Sequence, residues 1–91
     1  MARKENIHNL IRQISMEVLG FIKDEESKFP DRWVPTAHIK HSLELNFVAV
    51  PRANEQYGEK GWLFAIIARI LEDQKLIEYK KSGKRAFCRV L

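Results

Sequence analysis

The apolar positions at the start of the chain repeat with a helical period. Ile7, Leu10, Ile11, Ile14, Val18, Leu19, Phe21 and Ile22 fall at i, i+3, i+4, i+7 spacing and make one wide face over residues 4–23. Arg12, Gln13 and Glu17 lie on or near the other face. Gly20 interrupts good helix formers at a cost of about 1 kcal/mol and marks either close packing or a bend. Asp24-Glu25-Glu26 reads as a solvated continuation of the helix, which Pro30 ends at or before Phe29. Trp33-Val34, between Pro30 and Pro35, has room for a minimal strand. Thr36 is placed to cap a second, short helix, AHIKHSLEL, with Ile39, Leu43 and Ala37 as its inward side.

Residues 46–60, NFVAVPRANEQYGEK, follow no single period. Two readings stand side by side: a helix beginning at Glu55 after an Asn54 cap, or a break that lasts until Gly61. From Trp62 the helical pattern returns strongly, with Leu63, Phe64, Ile66, Ile67, Ile70 and Leu71, and predicts the most buried helix. KLIEYKK and RAFCRVL then read as two strands joined by Ser82-Gly83-Lys84, where glycine supplies a positive φ. Alternation in the last strand sets Ala86, Cys88 and Val90 against Phe87, Arg89 and Leu91 and leaves open which set faces inward.

The order is helix, short strand, helix, helix, strand, turn, strand, which predicts an α+β fold. Ninety-one residues suit one domain, with about 60–65% of the unfolded surface buried. No apolar run approaches the roughly 20 residues of a membrane span. The charged first 20 residues argue against a signal peptide. A lone cysteine, Cys88, excludes an internal disulfide and suits a reducing, cytoplasmic setting.

Charge changes the picture more than composition does. Residues 1–74 carry ten Lys and Arg against eleven Asp and Glu, a net of −1. Residues 75–91 carry Lys75, Lys80, Lys81, Lys84, Arg85 and Arg89 against Glu78 alone, a net of +5. A local excess of one sign is the footprint of a polyanion partner. Lysines guarding exposed strand edges are the plainer explanation of the same pattern.

Catalytic and metal chemistry are poorly represented. His38 and His41 stand at i, i+3, but a structural zinc site needs four ligands and Cys88 is the only thiol. Gly58 and Gly61 do not form a phosphate-binding loop, and no serine-histidine-acid order stands out. The expectation is a protein that is not an enzyme and carries neither cofactor nor metal. Trp62, Phe64 and Tyr57 are candidate stacking platforms for single strands, with core packing the expected role of the first two.

The segments VPTAHIKHSLEL and WLFAIIARILEDQKLIEYKKSGKRAFCRVL resemble the winged helix-turn-helix family, above all in the ILEDQKLIEY step from third helix to first wing strand. The resemblance covers about residues 6–91. It implies three helices with a C-terminal two- to three-stranded antiparallel β-wing: a long first helix over 1–29, a helix-turn-helix region over 33–74 and a basic wing over 75–91. It also implies double-stranded DNA as the partner, a transcriptional regulator among the roles, with the third helix in the major groove and the wing on phosphates. Carried onto this chain, Lys80, Lys81, Lys84 and Arg85 are the wing contacts. The outer face of the third helix offers only Arg69. The other polar candidates, Arg52, Asn54, Gln56, Tyr57 and Lys60, lie earlier, in a connection longer than the family's usual three- to four-residue turn. A protein-interaction module on the same fold is the alternative. A first helix running over 4–28 would span roughly 37 Å, more than a small core covers; a homodimer through it would bury the excess.

Overall fold

The computed structural model describes residues 2–46 and 61–91, together with the backbone of 50–52 and 55–57. It is α+β, with three α-helices and a three-stranded antiparallel sheet. Helix α1 spans Ala2–Glu25 and passes through 3-10 turns at Glu26–Lys28 and Pro30–Arg32. Strand β1 is Val34–Pro35, and α2 is Thr36–Ser42. A separate hairpin follows, with β2 at Val50–Arg52 paired to β3 at Glu55–Tyr57. Helix α3 is Trp62–Asp73, and β4 (Ile77–Ser82) and β5 (Arg85–Val90) close the fold. The sheet order is β1-β5-β4.

The core forms where the three helices meet the inner face of this sheet. Ile22, Val34, Ile39, Leu71 and Cys88 are fully sealed, and Val18, Phe64, Ile67, Ala68 and Ile77 are nearly so. Each large aliphatic side chain sealed in this way contributes about 1.5–3 kcal/mol. Register decides which strand face is inward. Val34 and Tyr79 both pair with the buried Cys88, and Ile77 pairs with Val90. The Ala86, Cys88, Val90 set is therefore the inner one.

Both α2 and α3 end in the same device. Glu44 and Lys75 take left-handed backbone (φ 54° and 60°). Leu45 N–H then donates to the Lys40 carbonyl and Leu76 N–H to the Leu71 carbonyl, which satisfies helix-end acceptors and turns the chain. Gly83 (φ 63°) makes the β4–β5 turn as its sequence position predicts.

In α1 nothing before Ser15 is buried, so Ile7, Leu10, Ile11 and Ile14 are the part of the wide apolar face that the small core does not cover, as the length of the helix predicts. Several other expectations are corrected. The first helix gives way to 3-10 turns after Glu25, the second of which opens on Pro30. Only Asp24 of the acidic trio is exposed. Glu26 is buried and accepts the Val90 N–H and the Arg32 guanidinium, tying the end of α1 to the end of β5. Glu25 accepts from Lys28 and pairs with His38, which lies against Phe21 and Phe29. Gly20 does not mark close packing, since a Cβ there would meet nothing within 4 Å, and α1 continues through it. Thr36 is the first residue of α2 and buried, with Pro35 in the capping position, while Ala37 is exposed. Glu55 begins a strand and not a helix: β3 pairs back onto β2, and α3 starts only after Gly61 (φ 77°). Ile66, expected in the core, is 51% exposed. No helix among the described residues is long and apolar enough to cross a membrane.

Candidate nucleic-acid interface

The basic residues at the end of the chain do not form one cluster. Pleating divides them. Lys81 pairs with Ala86 and shares the inner-face alternation of Tyr79 and Cys88. Lys80 pairs with Phe87 and Ser82 with Arg85, on the opposite face. The hairpin extends beyond the core, so its inner face there is open to one side of α3.

That opening is a groove of about 890 Å³. Arg69 enters it from α3, Lys81 and Lys84 from the β4–β5 hairpin, and Lys40 from α2. Tyr79 and Ile66 line it, and Glu72 is its one acidic side chain. Among the described residues, none of the four cations pairs with a carboxylate. Four positive groups from three elements thus face one open concavity with little to neutralise them. Such a surface attracts an extended anion and releases counterions when it binds.

Gly61 holds the floor of this groove close to α2. A Cβ at this residue would stand 2.8 Å from Lys40 Cδ and 3.4 Å from Lys40 Nζ. The absent side chain and the left-handed φ together let the Lys40 chain lie across the start of α3.

The other face of the hairpin is chemically different. Arg89 bonds the Glu78 carboxylate, donates to the Asp31 carbonyl at 2.9 Å and lies 4.1 Å from the centre of the Trp33 ring. Lys80 Nζ is 4.4 Å from the same ring centre and 5.5 Å from that of Phe87. These cations are engaged with aromatic rings and a carboxylate. They hold β1 and the 3-10 turn to the sheet.

Of the residues expected to touch nucleic acid, Arg69, Lys81 and Lys84 are brought together. Lys80 and Arg85 are not: strand alternation turns them to the far face. Arg52, Gln56 and Tyr57 belong to the β2–β3 hairpin, where backbone alone is described, and Asn54 and Lys60 lie outside the described residues. Lys40 was missed. Its one local signal is Gly61, whose link to Lys40 is a tertiary contact that no sequence period reveals. Among the stacking candidates, Phe64 is buried and Trp62 half-buried; Tyr57 lies where side chains are not described.

Cys88 is fully sealed, and its thiol is pushed up to about 12, by burial first and the Glu72 charge second. A thiol held protonated in this way is a poor nucleophile and a poor metal ligand. Among the described residues, no group of three or more His, Cys, Asp or Glu side chains gathers as a metal site.

No protein-family profile, curated protein or solved structure matches this chain.

Proposed function

We propose that this chain is a winged-helix domain that binds double-stranded DNA, chiefly through its phosphates, with the groove between α3 and the β4–β5 hairpin as the contact surface. The observation that carries this reading is the convergence of Lys40, Arg69, Lys81 and Lys84 on that groove. Each cation can neutralise a phosphate, and together they bridge helix and hairpin as a duplex backbone would require. Base reading is weak in this account. The exposed start of α3 offers Ala65 and Ile66, which lack the donors and acceptors that distinguish base edges. Phosphate contacts position a protein without reading sequence, so a regulator built on this surface would need its selectivity from elsewhere.

The test separates the two faces of the hairpin. Fluorescence anisotropy of a labelled duplex should show Arg69→Glu with Lys81→Glu losing at least about tenfold in affinity at low salt. The pair Lys80→Glu with Arg85→Glu, on the far face, should lose clearly less. Equal losses from both pairs, or none from the first, would reject the groove as the interface. A protein-interaction module remains the second reading, favoured by the apolar, donor-poor exposed start of α3.

A further inference from the structure

The first half of α1 projects from the fold with its apolar side uncovered. Ile7, Leu10, Ile11 and Ile14 are 54%, 57%, 37% and 42% exposed and follow one another along a single helix face. The radius of gyration, 14.3 Å, exceeds the roughly 12 Å of a compact chain of this length. A row of bare isoleucine and leucine at helical spacing calls for a partner.

The same molecule carries a matching receptor. Beside the second half of α1 lies a groove of about 490 Å³ whose apolar lining includes Ile14, Phe21, Leu43 and Leu45, with Glu17 and Asp24 among its polar groups. Charge follows the same division. Residues 2–13 hold Arg3, Lys4 and Arg12 against Glu5, a net of +2. Residues 14–25 hold Glu17, Asp24 and Glu25 against Lys23, a net of −2. The projecting half is apolar and basic; the groove beside the other half is apolar and acidic.

From this complementarity we infer that two copies of the chain pair through α1 in antiparallel fashion, each placing its projecting half in the other's groove. Ile14 meets its own copy at the two-fold axis. Ile7 then reaches the level of Phe21, and Arg3 and Lys4 reach the level of Asp24. A parallel pair would set like charges side by side and leave both grooves empty. The antiparallel pair is isologous: one patch serves both copies and closes the assembly at two. Opposed helix dipoles favour the same direction. The inference does not depend on nucleic-acid binding and is tested without it.

Charge swapping tests it directly. Arg3, Lys4, Glu17 and Asp24 are all exposed, so their reversal leaves the core untouched. Sedimentation equilibrium should show the wild-type chain as a dimer at about 100 µM, a range in which even micromolar affinity saturates. Arg3→Glu with Lys4→Glu, and separately Glu17→Lys with Asp24→Lys, should each shift the protein toward monomer by at least about tenfold in dissociation constant. Mixing the two variants should restore a dimer containing one copy of each, because residue 24 of each copy again meets the opposite charge at positions 3 and 4 of the other. A monomeric wild type at that concentration would overturn the inference. So would variants that dimerise as well alone as mixed, or a mixture that restores nothing.

Discussion

Cys88 shows how far one side chain's environment sets its chemistry. It is sealed between the sheet and the helices, and its thiol is pushed up to about 12. Alkylating reagents attack the thiolate, so native protein near pH 8 should label only as fast as it opens. Labelling should rise in step with the unfolded fraction across a denaturant series; rapid labelling of the native state would show that the strand is not sealed as described. Glu25 carries the opposite shift. Lys28 first and His38 second, both hydrogen-bonded to its carboxylate, hold it below its ordinary 4.5. A carboxyl lowered on folding adds stability above its unfolded value and loses it as pH falls through its folded one. Thermal melts of wild type and Glu25→Gln should therefore differ most above about pH 5 and converge in stronger acid. A gap that stays constant with pH would mean the two contacts do not act on the charge.

At the scale of elements, the helix ends make a clear prediction. Glu44 turns the chain out of α2 in left-handed backbone, a conformation that a side chain disfavours. Glu44→Gly keeps both turn hydrogen bonds and removes that cost, partly offset by the greater freedom of glycine in the unfolded chain. The expected gain is about 0.5–1 kcal/mol, a rise of roughly 2–8 °C in Tm; a fall in Tm would contradict the cap geometry. This turn was not legible in the sequence, because no glycine or asparagine announces it. The β4–β5 hairpin was legible, because Gly83 sits between two β-rich runs. Helix α3 was legible from its period, yet the exposure of Ile66 was not, since an apolar residue reads the same whether a neighbour covers it or not. The β2–β3 hairpin went unread for a different reason. Its strands have three residues each, too few to show alternation, and Pro51 argues against a ladder.

For the whole molecule, charge and topology have to be taken together. The sequence places five net positive charges in the last 17 residues, but strand alternation sends them to two faces with different chemistry. Arg89 and Lys80 engage Trp33 on one side, while Lys81 and Lys84 join Arg69 and Lys40 on the other. The candidate site was thus half legible: the hairpin's sign could be read, its working face could not. Lys40 enters only because its side chain reaches from α2 to Gly61 at the start of α3. The most direct test of the proposed interface is the salt dependence of duplex binding. Four phosphate contacts predict that log K falls against log salt with a slope of about −3.6, reduced by about 1 for each groove cation neutralised. A slope near that value, lowered by Lys40→Gln and by Lys84→Gln, is the expected result. A flat salt response, or no duplex binding at low salt, would contradict the proposal that this groove takes DNA.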